Sequence, residues 1–388
     1  MRRAARSVAL AWCITTACLH GVPLEPPVPV ATVPFDAYGG AIYVPGVIDG
    51  DSAWLMLDTG LSRTGLDRDW AATAGVPTAD SASTAVVKSL RLGELELPNY
   101  RVALYRLAGL SEASGRPQRG LVGHDVLQKF AVEIDYQLRR VRLYDAAHYF
   151  YTGKGASVRF TPDADLPLLR ASIKVPGRRP IAARLLLDTG ASGLCVILTA
   201  PFGEQHRLSL LRPAIEAPIG TGLVGELHGT IVRLQELRLG DLRVPSPTTG
   251  VGGEHKGFLG RTDIDGVIGN SVFEGSILIV DYARRRAIVE RSVQSAPTCD
   301  YDMSGLRLVA RGAGLKEVVV DYVVPHSPAA DAGIVAGDEL LSIDRHLSSD
   351  VDLSDVRQYL RIEGAVRQLV LRREADTLRV TLRLRRLL

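Results

Sequence analysis

The chain has 388 residues and a formal net charge of +3, and hydrophobic residues make up 46% of it but aromatic residues only 6%. That length exceeds what one hydrophobic core usually organises, so two or three domains are expected. The small net charge, with arginines spread along the chain, gives no argument for a nucleic-acid partner. The 38 Gly and 21 Pro indicate a globular protein rich in turns and strands.

The N-terminal segment has the pattern of an export signal. Arg2, Arg3 and Arg6 form a basic start, and residues 8–19 are an apolar run too short to span a bilayer comfortably. We therefore expect residues 1–22 to be a signal segment and the protein to be exported, to the periplasm or outside the cell. Residues 15–18 resemble a bacterial lipobox, so a lipid on Cys18 that anchors the N-terminus is left open beside cleavage. A Pro-rich linker at 23–32 follows.

The chain then contains one pattern twice, in the same order. Leu57-Asp58-Thr59-Gly60 recurs as Leu187-Asp188-Thr189-Gly190. Each copy continues with a Leu-Arg-Leu-Gly segment, a Gly-apolar-apolar-Gly segment and an Asp-Tyr segment, at 90–93, 120–123 and 135–136 and again at 237–240, 266–269 and 281–282. A repeat of this length predicts two copies of one folding unit related by a pseudo-two-fold axis, at 33–150 and 151–291.

Alternating apolar and polar residues predict short strands and few helices. In the first unit we expect strands at 41–44, 90–97, 101–105, 132–134 and 140–144, with matching segments in the second. Each Asp-Thr-Gly follows an apolar run and so lies on a strand-end loop. If the two units face each other, Asp58 and Asp188 come within hydrogen-bond reach, where both cannot ionise. One copy alone would be explained by turn chemistry; two ordered copies favour a shared site.

The second copy carries the fuller version of a known pattern. Residues 186–192, Leu-Leu-Asp-Thr-Gly-Ala-Ser, together with Val267-Ile268-Gly269, resemble the signature of the aspartic peptidases, the retropepsin and pepsin superfamily. The resemblance covers about residues 35–291, and the first copy departs from it at Leu61, where the family has a small residue. It implies a mainly β fold with two pseudo-symmetric acid-protease-like β lobes, and a water activated between Asp58 and Asp188.

The same resemblance implies support for the two carboxylates and no cofactor or metal. Hydroxyls would lock the two loops together, glycines would let backbone N–H groups approach the carboxylates, and outer hydroxyls would orient them. The residues in these three roles are, in order, Thr59 and Thr189, Gly60 and Gly190, and Ser62 and Ser192.

The second copy is longer than the first between its Asp-Thr-Gly motif and its Leu-Arg-Leu-Gly segment. The added residues include a glycine-rich stretch that predicts a hairpin acting as a mobile flap over an extended substrate. The predicted flap residues are Gly220, Thr221, Gly222, Leu223 and Gly225. A plain exposed loop is the alternative. The first copy has only residues 79–84 in this place, so we predict one flap, on the second lobe.

After a linker at 292–299, residues 300–388 resemble a small α/β domain, the PDZ domain of bacterial type. The phrases Ser327-Pro328-Ala329-Ala330 and Gly337-Asp338 carry this resemblance. It implies a groove for a C-terminal or extended peptide, with Ser304, Gly305 and Leu306 in the loop that holds the ligand. Arg307 stands where the family usually has a small residue, which leaves the ligand class open. A helix is predicted over 353–362.

Together these patterns predict an exported aspartic endopeptidase whose PDZ domain tethers substrate or regulates activity. The alternative is a non-catalytic peptide-binding protein that keeps the repeat fold and works through its PDZ domain. The expected partner is a polypeptide, with membrane contact only through the N-terminus. Cys195 and Cys299 are the cysteines left after removal of a signal, and the sequence leaves open whether they pair. Substrate preference and oligomeric state are also left open.

Overall fold

The structure is a computed structural model that describes residues 27–78, 81–163, 166–291 and 299–388. The predicted signal segment with Cys18, and most of the predicted linker at 292–299, lie outside the described residues. Within these ranges no helix is long and apolar enough to cross a membrane. The predicted fold class is confirmed: the chain is mainly β, with two β lobes followed by a small α/β domain.

The described residues of lobe 1 form ten strands and three short helices. Its strands are β1 (Ala31–Pro34), β2 (Asp36–Tyr38), β3 (Ala41–Ile48), β4 (Asp51–Leu57), β5 (Gly65–Asp67), β6 (Thr84–Leu92), β7 (Leu95–Tyr105), β8 (Gly120–Val122), β9 (Phe130–Asp135) and β10 (Arg140–Asp145). Its helices are α1 (Arg68–Thr73), α2 (Ala108–Ser114) and α3 (His124–Leu127). Seven of the strands form one sheet in the order β2-β3-β4-β8-β5-β7-β6.

In the described part of lobe 2 there are twelve strands and one α-helix. Its strands are β11 (Ala156–Asp163), β12 (Leu166–Lys174), β13 (Ile181–Asp188), β14 (Val196–Leu198), β15 (Ala214–Gly222), β16 (Gly225–Arg233), β17 (Glu236–Leu239), β18 (Leu242–Pro245), β19 (Thr248–Gly252), β20 (Gly266–Gly269), β21 (Ser276–Asp281) and β22 (Arg286–Arg291). Helix α4 (Ala200–Gln205) and 3-10 turns at Gly257–Gly260 and Asn270–Val272 complete the lobe.

The two lobes are joined by one sheet. Strands β9 and β21, which carry the repeated Asp-Tyr segments, pair antiparallel from Ile277 opposite Asp135 to Asp281 opposite Ala131. Strands β1 and β10 extend this sheet on the lobe 1 side, and β22 and β11 on the lobe 2 side. A continuous apolar core runs through both lobes and includes Leu57 and Leu187, the residues before the two aspartates. This sheet and core fix one lobe relative to the other.

The C-terminal domain has a separate core. Its strands are β23 (Leu306–Arg311), β24 (Glu317–Val323), β25 (Glu339–Ile343), β26 (His346–Leu347), β27 (Val366–Arg373) and β28 (Asp376–Arg383), and its helices are α5 (Pro328–Asp331) and α6 (Leu353–Tyr359). A 3-10 turn at Ala313–Leu315 precedes β24. Leu308, Leu340, Val356 and Leu371 are among the buried side chains of this core. Strand β23 lies at one edge of the sheet.

Two predicted elements have different bounds in the structure. Residues 90–97 were expected to form one strand, but β6 ends at Leu92 and β7 begins at Leu95, because Gly93 and Glu94 form a hairpin turn. The helix predicted over 353–362 ends at Tyr359. The other predicted strands of the first unit lie within β3, β7, β9 and β10.

Candidate active site

Asp58 and Asp188 lie at the ends of two strands that are built alike. Strand β4 pairs in parallel with β8 through Leu55, Met56 and Leu57, and β13 pairs in parallel with β20 up to Asp188 itself. The Asp58 N–H donates to the carbonyl of Val122 at 3.0 Å. In both lobes a Gly-apolar-apolar segment therefore holds the strand that carries the aspartate.

The two threonines lock the loops together by four reciprocal hydrogen bonds. The Thr59 hydroxyl donates to the Leu187 carbonyl at 2.8 Å and accepts from the Thr189 N–H at 3.0 Å. The Thr189 hydroxyl donates to the Leu57 carbonyl at 2.8 Å and accepts from the Thr59 N–H at 3.1 Å. Both side chains are fully buried. The loops thus have almost no freedom to separate without leaving buried polar groups unpaired.

The glycines of the two motifs bring each loop against the opposite carboxylate. A Cβ atom placed on Gly60 would lie 2.5 Å from Cγ of Asp188, and one on Gly190 would lie 2.6 Å from Cγ of Asp58. Any larger residue would collide with the carboxylate. The structure therefore places Asp58 and Asp188 side by side, and their carboxyl groups hydrogen-bond to each other.

Backbone N–H groups hold each carboxylate in place. Oδ1 of Asp58 accepts from Gly60 at 2.9 Å, and the Leu61 N–H also stabilises this carboxylate. Oδ1 of Asp188 accepts from Gly190 at 2.9 Å and from Ala191 at 3.0 Å. The departure from the family pattern at Leu61 leaves this support intact, because the backbone supplies it.

The two carboxyls are not electrostatically equivalent. Burial, the charge of Asp188 and a hydrogen bond that the Asp58 carboxyl donates to Asp188 raise the pKa of Asp58 well above its ordinary range. Burial also raises the pKa of Asp188, but the N–H of Ala191, the hydrogen bond from Asp58 and the N–H of Gly190 oppose this. Since two adjacent carboxylates do not readily ionise together, these directions favour Asp58 over Asp188 as the carrier of a single shared proton.

A second set of hydrogen bonds holds the two Asp-Thr-Gly loops on the side away from the carboxyl pair. The N–H of His124 donates to the Leu61 carbonyl at 2.7 Å, and the N–H of Asn270 donates to the Ala191 carbonyl at 2.8 Å. The glycines before these residues make the approach close: a Cβ on Gly123 or Gly269 would lie within 2.9 Å of the same carbonyl oxygens. The two Gly-apolar-apolar-Gly segments thus brace the aspartate loops in the same way.

Sequence reasoning missed several residues of this second set of contacts. The Thr64 hydroxyl donates to Asp125 at 2.7 Å and accepts from the Gly123 N–H at 2.9 Å. In lobe 2 the Asn270 side chain donates to the Gly40 carbonyl at 2.7 Å and accepts from the Tyr136 hydroxyl. These contacts join residues far apart in the chain and differ between the copies, so the repeat gave no signal for them.

The outer role expected of Ser62 and Ser192 stays a prediction. Among the described residues, neither hydroxyl makes a hydrogen bond to Asp58 or Asp188, and Ser62 faces solvent. The loops are instead held from outside by the backbone of the residues that follow Gly123 and Gly269. In the same ranges no group of three or more His, Cys, Asp or Glu could hold a metal ion.

The predicted flap residues form the end of the hairpin β15–β16. Thr221 pairs with Glu226 and Gly222 with Gly225, which leaves Leu223 and Val224 at the tip. His228 on β16 is exposed, and its Nε2 lies 3.2 Å from Oε2 of Glu226. The hairpin is thus present where the sequence predicts it. Its action as a lid stays a prediction.

The predicted peptide-binding loop of the PDZ domain is occupied by the chain's own side chain. The N–H groups of Ser304, Gly305 and Leu306 donate to Oδ1 of Asp302 at 2.9, 2.6 and 3.2 Å. Burial raises the pKa of Asp302 to about 6. A ligand carboxylate at these three groups would have to replace Asp302, so their role in ligand binding stays a prediction.

The structure answers the question about the cysteines. Cys195 and Cys299 form a disulfide with a Cα–Cα distance of 5.8 Å. Cys195 follows the second Asp-Thr-Gly loop, and Cys299 precedes the PDZ domain. The bridge therefore fixes the start of the PDZ domain to the core of lobe 2.

Known structures and a known family model are similar to different parts of the chain. No curated protein sequence matches it. Among solved structures it is similar to an aspartic proteinase from Irpex lacteus, at 12% identity and a TM-score of 0.44, over 69% of this chain and 99% of that one. It is also similar to a photosystem II D1 C-terminal processing protease, at 25% identity and a TM-score of 0.21, over 24% of each chain. Residues 319–373 match the family model of the PDZ domain, which confirms that part of the prediction.

Proposed function

We propose that the chain is an exported aspartic endopeptidase that hydrolyses peptide bonds with Asp58, Asp188 and a water molecule. The observation that carries this proposal is the pair of carboxyl groups held side by side by mirrored backbone contacts. Packing two partly buried carboxyl groups against each other disfavours folding at neutral pH, so stability does not explain the arrangement. A shared proton between two carboxyls supplies a base and an acid at one point.

The first half of the reaction follows from the asymmetry of the pair. Asp188, which accepts the hydrogen bond from Asp58, carries the charge and takes a proton from a water between the carboxyls. The water oxygen forms a bond to the carbonyl carbon of the substrate. Asp58 gives its proton to the carbonyl oxygen at the same time. The product is a neutral tetrahedral diol, and the proton now lies on Asp188.

The second half returns the pair to its starting state. Asp188 gives its proton to the amide nitrogen, and Asp58 takes a proton from one hydroxyl of the diol. The carbon–nitrogen bond breaks, and a carboxylic acid and an amine leave. No covalent bond to the protein forms in either half. The threonine bonds matter here because they keep the two carboxyls at a fixed separation through both proton transfers.

The C-terminal PDZ domain supports binding of a peptide in addition to cleavage. A non-catalytic peptide-binding protein would need this domain but not the carboxyl pair. Export agrees with the disulfide, since such bonds persist in oxidising compartments.

The proposal is tested by incubating purified protein with an unfolded polypeptide at acidic and neutral pH. We expect new peptide termini to accumulate, and this cleavage to disappear in Asp188→Asn. A folded wild-type protein that cuts no unfolded substrate at any pH would refute it and favour the non-catalytic alternative.

A further inference from the structure

The tip of the hairpin β15–β16 is bound to the PDZ domain by one arginine. Nη2 of Arg307, on β23, lies 2.5 Å from Oε1 of Glu226 and donates to the Thr221 hydroxyl at 3.1 Å. Thr221 and Glu226 are opposite each other in the hairpin. One guanidinium group therefore contacts both strands of the hairpin. Only the pair Gly222–Gly225 separates this contact from the tip residues Leu223 and Val224.

Arg307 is itself held from behind. Its Nε lies 3.0 Å from Oδ2 of Asp321 on β24, and its side chain is only 19% exposed. A planar guanidinium with acceptors on both sides has one favoured orientation, which a lysine or a small residue would not reproduce. This gives a physical role to the residue that departs from the usual PDZ pattern: it faces the hairpin of lobe 2.

A second set of contacts joins the base of the hairpin to the PDZ domain. The Tyr322 hydroxyl donates to the Glu216 carbonyl at 2.9 Å. Val324 of the PDZ domain belongs to the same apolar cluster as Ile215, Ala217 and Ile219 of the hairpin, and Tyr322 packs against it. The hairpin is therefore attached at its base by apolar packing and near its tip by the charge of Arg307.

The two apolar side chains at the tip are exposed. Leu223 is 40% exposed and Val224 is 89% exposed. Two apolar side chains at the end of a hairpin gain free energy only when they are covered. If the hairpin closes over a bound polypeptide, as a flap would, its tip must move and the contacts of Arg307 must break or rearrange.

We propose that Arg307 is a positioning residue for the flap: its bonds to Glu226 and Thr221 hold the hairpin in a resting position from which it must be released to cover substrate. This inference rests on the proposed peptidase function and adds a regulatory role for the PDZ domain. A partly buried ion pair of this kind shifts a conformational equilibrium about fivefold. Because only the released fraction binds substrate productively, breaking the pair lowers the apparent KM and leaves kcat unchanged.

The test compares Arg307→Ala and Glu226→Gln with the wild type on a short peptide. Both variants should lower KM about fivefold at constant kcat. Arg307→Glu should act in the same direction, and adding Glu226→Arg to it should restore the wild-type KM. The matched control is Arg372→Ala, since Arg372 pairs with Glu339 inside the PDZ domain and is half-exposed. An unchanged or raised KM in both single variants would overturn the inference.

A second measurement keeps the inference separate from the peptidase proposal. Amide hydrogen exchange is followed over residues 214–233 in an Asp58→Asn background, with and without Arg307→Ala. We expect faster exchange near the tip when the arginine is removed, and no change with Arg372→Ala. Equal exchange in all three proteins would refute the restraint. If the wild type cleaves nothing, the peptidase proposal fails, and exchange still decides whether Arg307 restrains the hairpin.

Discussion

Lobe 1 and lobe 2 are alike in the residues that contact the carboxyl pair. They differ in the segment between the Asp-Thr-Gly motif and the Leu-Arg-Leu-Gly segment. Each lobe contributes one aspartate, one threonine of the reciprocal lock and one Gly-apolar-apolar-Gly brace. Between its Asp-Thr-Gly motif and its Leu-Arg-Leu-Gly segment, lobe 2 adds the hairpin β15–β16, and that hairpin contacts the PDZ domain. In the corresponding place lobe 1 has the short segment 79–84.

The difference separates two kinds of constraint. The chemistry of a shared proton requires matched partners, so both copies keep the same residues there. Coverage of an extended substrate needs only one lid, so the second copy is free to vary from the first. Helix α2 of lobe 1 packs against β23 and β15, so lobe 1 also contacts the strand that carries Arg307. The predictions below test how far the equivalence of the lobes extends.

The largest expected effect follows from replacing either aspartate. Asp58→Asn and Asp188→Asn should each lower kcat/KM at least about a thousandfold, since each removes one of the two proton-transfer groups. The double variant should be little worse than either single one, because the two act as a unit. The measurement is steady-state cleavage of a short peptide at acidic pH.

Asp51→Asn is the matched control, because Asp51 is an exposed residue at the start of β4 and lies in the same strand as the site. It should keep wild-type activity. Asp58 and Asp188 together are called the dyad below. Near-wild-type turnover in either Asp58→Asn or Asp188→Asn would show that the two lobes are not equivalent in the reaction.

The reciprocal threonine bonds should give the next largest effect. Thr59→Val leaves the Leu187 carbonyl and the Thr189 N–H without their partners, and Thr189→Val does the same to the Leu57 carbonyl and the Thr59 N–H. Each variant should lose about 1–3 kcal/mol of unfolding free energy, measured in urea. Thr59→Ser and Thr189→Ser keep the hydroxyl and should recover most of it.

If the two valine variants lose equal amounts of unfolding free energy, the lobes contribute equally to stability as well as having the same geometry. A loss in one variant only would mean that one threonine carries the lock alone.

The site residues that can be predicted from the sequence are those that occur in both copies of the repeat. Asp58 and Asp188, the two threonines and the two glycines could be assigned because the second copy confirms the first. Asn270 and Arg307 could not, because each acts through a partner distant in the chain: Gly40 for Asn270, and Glu226 for Arg307. Nor does spacing reveal that Asp302 fills the loop of Ser304. Such contacts depend on how complete domains pack, and one sequence carries no periodic signal for that.

The pH dependence of stability should report the shared proton. The pKa values of both dyad carboxyls are raised by burial, so the folded state binds protons more tightly than the unfolded chain does. This contribution to stability is fully present below the ordinary carboxyl range and is lost as pH rises through the raised values. Wild-type Tm should therefore fall relative to that of Asp58→Asn as pH rises from 4 toward 7.

Calorimetry of the two proteins across this range measures the difference directly, and each kcal/mol should correspond to about 2–4 °C. Because Asp338 and Asp263 have lowered pKa values and lose stabilising charge in acid, the comparison must be between variants and not within one curve. Parallel curves would mean that the dyad does not titrate differently in the folded state. Cleavage should show a bell-shaped kcat/KM profile with an acidic maximum.

The smallest expected effect concerns the one position where the first motif departs from the second. Leu61→Ala converts residues 58–62 into the Asp-Thr-Gly-Ala-Ser of lobe 2. The contacts of Leu61 with the site come from its backbone: its N–H stabilises Asp58, and its carbonyl accepts from His124 at 2.7 Å. An alanine preserves both, so kcat/KM should stay within about threefold of the wild type.

The leucine side chain is partly buried against the apolar cluster of lobe 1 that contains Met56 and Leu121. Its removal should therefore cost about 1 kcal/mol of stability, less than for a fully buried leucine. Unfolding in urea and cleavage of a short peptide separate the two effects. A loss of activity that exceeds the loss of stability, with KM raised and kcat unchanged, would assign the side chain of Leu61 to substrate binding. Lobe 1 would then contribute its own specificity residue at the position where lobe 2 has only Ala191.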